Sequence, residues 1–309
     1  MCSHAFIRVP RRWLALIALT SAAFGAVAAT LMSGQSWLQQ SSKLPLTVFG
    51  EDPAPEPTPA PSPSEIAVFM PDQSLEVERE DGSELTIAYS SVILDPRWID
   101  LHYYEGWSRE FEANTDREAL LFFTGPTFEK GHPDQPLGMV LHGDLKLTNR
   151  LIRAGNRAAA AGRAFIGIRH DGTLTFGFGP FTASDADDFR LFIGGLHAFD
   201  HSFETPPADY KGVYGAMTMA DVRIVYGLRK DGRLEVVETA DGVLFPDLRL
   251  FVRAKGFQAA YLPDHASKSR LIVPGQRLWS DEQAEWVSGG KPSITALPFM
   301  LRVVARASH

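Results

Sequence analysis

The chain has 309 residues, 45% of them hydrophobic and 22% charged, with a formal net charge of -7. That suits one large or two small globular domains plus extensions. Outside the N-terminus no basic block occurs, which speaks against binding nucleic acid by neutralising phosphates. The single cysteine, Cys2, excludes an internal disulfide framework and a cysteine-built zinc site.

Residues 1–32 read as a signal anchor or signal peptide. Arg8, Arg11 and Arg12 precede an uncharged apolar run over 13–32. A run of that length spans a hydrocarbon core of roughly 30 Å. The triplet Ala26-Val27-Ala28 also fits a signal-peptidase site. Anchor and cleaved signal both stay open. The basic flank places the body outside the cytoplasm. The expected location is the cell inner membrane, single-pass with the body in the periplasm or extracellular space, or secretion after cleavage. Residues 33–64 form a linker, and its stretch PAPEPTPAPSP is an extended, semi-rigid spacer because each proline fixes φ and removes a donor.

The body, 65–309, reads mostly as strands. They are expected at 85–94, 119–123, 139–141, 164–168, 174–178, 222–228, 234–238 and 257–262. The Asp-Gly pairs at 81–82, 171–172, 231–232 and 241–242 mark turns. One octet occurs twice: GIRHDGTL at 167–174 and GLRKDGRL at 227–234. Asp-Gly between alternating apolar runs predicts a hairpin with a type I′ turn. Helices are expected at 149–161, 184–193, 246–255 and 280–286, the last opened by the capping box Ser280-Asp281-Glu282-Gln283. The fold class expected is α+β: a curved, mainly antiparallel sheet with packed helices, preceded by the N-terminal membrane segment and the Pro-rich linker.

Several side chains are site candidates. Asp264 and His265 follow a predicted strand, where a carboxylate acts as general base or orients a histidine. Arg223 stands ahead of a strand and offers a guanidinium fork to phosphate or carboxylate. Lys268 and Arg270 add positive charge nearby. In HAFDH, His197 and His201 are four apart; with a helix there doubtful, His197 is expected to line a site without metal. Glu129, His132 and Asp134 lie in a polar loop that reads as a solvated turn. No Gly-x-Ser-x-Gly, P-loop or His-Glu-x-x-His motif occurs.

The order of these elements resembles the phosphodiester glycosidase family, over roughly 120–274. The similar blocks are FFTG at 122–125 followed by PLGMVLHGDLK at 136–146, the hairpin RAFIGIRHDGTL, and FIGGLHAF at 192–199. They continue with Arg223 and IVYGLRKDGRLEVVE, a helix, and the strand ending at Asp264. The family's Asn-Gly-Gly before Phe-Phe is here Ala119-Leu120-Leu121. Its Asp-Gly-Gly-Gly-Ser is Asp264-His265-Ala266-Ser267-Lys268. The resemblance implies hydrolysis of a sugar-1-phosphodiester or related glycan. Asp264 with His265 would be catalytic, and Arg223, Lys268, Arg270 and His197 would bind substrate. No cofactor is expected, a divalent metal being possible, and the partners are a sugar phosphate or envelope glycan. Two other readings stand beside it: a binding module of the same fold without its glycines, and a structural envelope protein whose spacer reaches another component.

Overall fold

The structure is a computed structural model. It describes residues 61–129, 132–136, 139–140, 164–179, 188–201, 220–263, 266–287 and 294–307; side chains are described outside 128–140 and Ala266. The apolar run 13–32, the linker up to 60, the expected helix 149–161 and residues Asp264 and His265 lie outside them. Among the described residues no helix is long and apolar enough to cross a membrane.

The chain enters through a one-turn helix, α1 (Pro63–Ile66), closed by the reciprocal Ser62–Glu65 capping box. Two long strands follow, β1 (Ala67–Glu78) and β2 (Glu84–Leu94), then β3 (Ile99–Glu105), the short α2 (Glu110–Ala113) and β4 (Ala119–Phe123). Small strands β5 (Phe128–Glu129), β6 (His132–Pro136) and β7 (Met139–Val140) lead to β8 (Ala164–Arg169), β9 (Leu174–Phe178) and β10 (Phe189–His201). Next come β11 (Ile224–Leu228), β12 (Leu234–Thr239), helix α3 (Phe245–Ala254), β13 (Ala259–Leu262), β14 (Leu271–Ile272), helix α4 (Asp281–Val287) and β15 (Phe299–Ala305).

These strands build two main sheets, paired antiparallel throughout. The larger runs β1-β2-β12-β11-β13-β10-β8-β9, with β7 also on β10; the smaller runs β14-β4-β15-β3. A buried core fills the space between them, with Val92, Ile166, Tyr226 and Val236 on one side and Leu101, Leu121, Phe123 and Leu301 on the other. Two further apolar layers close the outer faces. Helix α3 packs Phe245, Leu248 and Phe251 against Val225, Val237 and Leu262 of the larger sheet. Trp279, Val287 and Leu297 cover Phe122 and Met300 of the smaller one.

The α+β expectation is thus corrected: this is a mainly antiparallel two-sheet fold in which helices are minor. The reason is specific. β1, β3 and β15 were not expected as strands, and two of them build the second sheet. The helix expected at 184–193 is also overturned, because Phe189–Ile193 opens β10. Phe189, Leu191, Phe192 and Ile193 are all buried there, as is Arg190 between them, and a run buried on both faces suits a strand covered on both sides. Helix α4 does carry the expected cap, with the Gln283 N–H donating to Ser280 Oγ at 3.1 Å.

The octets are hairpins, with a different turn. In each, the glycine N–H donates to the arginine carbonyl, Gly172 to Arg169 at 2.9 Å and Gly232 to Arg229 at 3.0 Å. Only the glycine has positive φ, +88° and +78°, so the loop is a three-residue type I turn plus glycine rather than type I′. Asp171 and Asp231 accept from the N–H two residues on, which the shorter turn does not require. Arg79-Glu80-Asp81-Gly82 makes the same turn a third time, with Gly82 donating to Arg79 at 2.9 Å. The two octet turns flank Asp95–Arg97 and share one groove of about 320 Å³.

The glycines are not equivalent. A Cβ on Gly172 would lie 2.5 Å from Arg97 Cγ and 3.1 Å from its Cα, whereas one on Gly232 meets open space. Each alanine substitution carries the left-handed cost of about 1–2 kcal/mol. Gly172→Ala is therefore expected to lower the melting temperature more than Gly232→Ala; equal losses would contradict the packing of the first turn on Arg97.

Candidate functional site

One end of the larger sheet gathers the start of β11 and the ends of β12 and β13. Arg223 directly precedes β11. Its N–H donates to Thr239 Oγ1 at 3.0 Å, and Thr239 N–H returns a bond to its carbonyl at 2.9 Å. The side chain is 1% exposed, Nε donates to the Val243 carbonyl at 3.0 Å, and the guanidinium lies 4.2 Å from the Phe245 ring centre. Register places Val225, and hence Arg223, on the α3 face. His197 of β10 pairs with Leu262 of β13 and is buried on that same face. Pro263, also buried, ends the described part of β13, and Asp264 and His265 follow it in the sequence.

His201 does not join His197. A bulge between Ala198 and Asp200 shifts the register, so His201 pairs with Ala259, on the core face. There its ring lies 5.1 Å from Phe178 and 5.9 Å from Tyr261. The described residues hold no group of histidines and acids that could bind a metal ion. Glu129, His132 and Asp134 fall in β5 and β6, outside the described side chains, and His170 is exposed at the first octet turn.

Lys268 and Arg270 are brought to the end of β4. Thr124 Oγ1 donates to the Lys268 carbonyl at 2.9 Å and accepts from the Arg270 N–H at 2.7 Å. Thr124 N–H donates to the Arg270 carbonyl at 3.1 Å, and the Tyr226 hydroxyl donates to the Thr124 carbonyl. It is thus Thr124, not 119–121, that stands beside the 268–270 segment. Residues 119–121 are spent inside β4. A Cβ on Gly125, the next residue, would lie 2.4 Å from Phe299 Cε2, so this glycine packs against the ring from β15.

Arg270 itself is a strut. It is fully buried and its donors go to Glu110 at 2.8 Å and to the carbonyls of Ser267, Ser269 and Thr295 at 3.1, 2.9 and 2.9 Å. The guanidinium also lies 4.4 Å from the Trp279 ring centre. Burial pushes its pKa down, against the opposing pull of Glu110 and Glu238. Lys268 is half-buried on a short 3-10 turn, Ala266–Lys268.

Sequence reasoning missed Glu238. It sits at the end of β12, in step with Leu234 and Val236, so it faces the inter-sheet core. Arg277 Nη2 donates to Oε2, and Gln283 Nε2 reaches the same atom at 3.5 Å. Oε1 is buried without a hydrogen-bond partner. Burial pushes the carboxyl pKa up, and Arg277 and then Arg270 oppose this. Three residues earlier on β12, Glu235 faces the other way and is satisfied by Ser91, Arg229 and Lys255 at 2.8, 2.6 and 2.6 Å. The available signal was a charged residue in phase with the core positions of an alternating strand.

A carboxyl whose folded pKa is raised above the ordinary 4.5 holds its proton longer in the folded state than in the unfolded one. Its contribution to stability is fully present below 4.5 and is lost as pH rises toward the folded pKa. Urea titrations of the parent and Glu238→Gln between pH 4 and 7 should show the parent losing stability relative to the variant as pH rises; a difference that is flat or of opposite slope would contradict the burial argument.

No family model and no curated protein matches the chain. Among solved structures, it is similar to the zebrafish N-acetylglucosamine-1-phosphodiester alpha-N-acetylglucosaminidase catalytic domain, auto-inhibited by its pro-peptide. The TM-score is 0.55 and the identity 17%, over 78% of this chain and 84% of that one. The fold is related to that of a phosphodiester glycosidase. A hypothetical protein from Synechocystis is similar at TM-score 0.54 and 13% identity, over 78% of this chain and 62% of that one. At such identities the likeness speaks for the fold alone. The glycosidase-like fold accounts for the order of blocks in the sequence and leaves the chemistry to the side chains.

Proposed function

We propose that the body is a hydrolase of the phosphodiester glycosidase type, anchored in the cell envelope by its N-terminal segment and acting on a sugar-1-phosphodiester or related glycan. The observation that carries this reading is the knotting of blocks distant in sequence at one end of the fold: Tyr226 of β11 and the 268–270 segment both bond to Thr124 at the end of β4. Asp264, in the connection from β13 to that segment, acts as general base toward water, with His265 beside it. Arg223 and Lys268 hold the phosphate, and His197 lines the pocket. Arg270 takes a positioning role, since its donors are committed to Glu110 and three carbonyls. The reading takes no cofactor, and a divalent metal is one arm of its assay.

A binding module of the same fold is the second reading, and one observation favours it. Arg223 Nε is turned to Val243 and the Arg270 fork is spent inside the protein, which leaves less of the expected phosphate grip for a substrate. The test is release of free sugar from a panel of sugar-1-phosphodiesters by the full-length chain, with and without divalent metal. Turnover supports the hydrolase. No turnover from a folded chain whose melting temperature rises with sugar phosphate supports the binding module. Neither response contradicts both and leaves the structural envelope role.

A further inference from the structure

The guanidinium fork of Arg270 ends on carbonyls from two separate segments. Nη1 donates to Ser267 at 3.1 Å and Nη2 to Thr295 at 2.9 Å. The hydroxyls of those same two residues meet, with Ser267 Oγ and Thr295 Oγ1 2.6 Å apart. One rigid, planar group thus holds both backbones while the side chains hold each other. The fork itself is fixed, because Nε is paired to Glu110 and the group lies 4.4 Å from the Trp279 ring centre.

Two features make this more than a latch between segments. Arg270 is fully buried, whereas Ser267, Lys268 and Thr295 are only half-buried, which leaves them within reach of a ligand. The second feature is a donor left over. A contact between two hydroxyls uses one of their two hydrogens, so whichever oxygen donates, the other O–H is still a donor. Neither hydroxyl makes a second hydrogen bond among the described residues. Ser267 also stands where the phosphodiester glycosidase pattern has its third glycine, so its hydroxyl is this chain's own addition. A braced O–H donor next in sequence to a lysine suits a phosphoryl oxygen, since hydrogen bonds to an ionised acceptor are the strong ones.

We propose that the Ser267–Thr295 hydroxyl pair is a binding element of the same site, donating an O–H to a phosphoryl oxygen held by Lys268. This rests on the reading of the site as one that takes a phosphate. The pair does with side chains what consecutive glycines do with backbone N–H groups, and the His265 and Ala266 side chains are then no obstacle to it. Arg270 acts through the pair, as its positioning residue, and contributes no donor to the substrate.

The test pairs calorimetric titration of the full-length chain with inorganic phosphate and the kinetics of sugar release from a sugar-1-phosphodiester. It compares the parent, Ser267→Ala/Thr295→Val and Thr295→Ser. In the double variant phosphate affinity is expected to fall, and KM to rise, at least about tenfold, the scale of one hydrogen bond to a charged group. The kcat should change less than about threefold, as for an interaction made equally in the ground and transition states. Thr295→Ser keeps both hydroxyls and should stay within about threefold of the parent in each quantity. If the double variant does not fold, Thr295→Val alone keeps the shape and should weaken phosphate binding at least about threefold. A double variant that melts earlier but keeps the parent's KM and phosphate affinity overturns the proposal and leaves the hydrolase standing. A parent without turnover whose phosphate binding fails in the double variant overturns the hydrolase and supports the proposal. A parent that neither turns over nor binds phosphate overturns both.

Discussion

Arg270→Ala is expected to destabilise the chain by about 3–5 kcal/mol, the scale for removing one partner of a buried ion pair. Arg270 is fully buried and so is Glu110, whose side chain is only 6% exposed. Alanine would leave that carboxylate without its cation. It would also strip donors from the carbonyls of Ser267, Ser269 and Thr295 and remove the group stacked on Trp279. The same substitution with Glu110→Leu removes the orphaned charge, so the double variant is expected to recover part of the loss. Urea unfolding of the two single variants and the double variant gives the coupling directly. A cost below about 1 kcal/mol for Arg270→Ala would contradict the role of the arginine as the strut that holds 267–270 against α2 and β4.

Asp264→Ala is expected to lower sugar-phosphodiester turnover at least about 100-fold, since a positioned general base contributes typically 10²–10⁴. In the sequence it follows Pro263, and β13 ends at Leu262. The melting temperature should therefore stay near that of the parent. That split separates it from Arg270, whose loss acts through the fold. Thr124→Val falls between the two: it keeps the shape and removes the hydroxyl that Lys268 and Arg270 share, so it should loosen the 268–270 segment by about 1–3 kcal/mol.

How far the sequence reveals this molecule depends on which physical signal each element carries. β2, β8, β9, β11 and β12 show apolar runs bounded by Asp-Gly, and each lies close to its expected position. β1 was hidden by Pro71 and Asp72, where the register shifts and Asp72 takes φ +49°. β3 and β15 carry no turn pair at their ends, and without them the second sheet could not be read. What looked like one sheet with packed helices is a sandwich. β10 was hidden differently: Ser184 with its acids imitates a helix start, and a fully buried run has no period to betray a strand.

The candidate site was legible in part. Arg223, Lys268 and Arg270 stood out by type and order, but their commitments did not. Only the folded chain shows that Arg270 is enclosed while Lys268 is half-exposed. Glu238 was visible as an acid in a core phase and was passed over, because a strand end with alternating polarity is ordinarily solvated. Its environment comes from Arg277 and Gln283, some forty residues later, and local reading has no access to that pairing.

The most direct test of the account is the rate at which the full-length chain and its Asp264→Ala variant release sugar from a sugar-1-phosphodiester, measured side by side with their melting temperatures. Turnover is expected in the parent and its loss in the variant, with closely similar melting temperatures. Equal turnover in both proteins would contradict the assignment of Asp264, and a folded parent without turnover on any member of the panel would contradict the hydrolase itself.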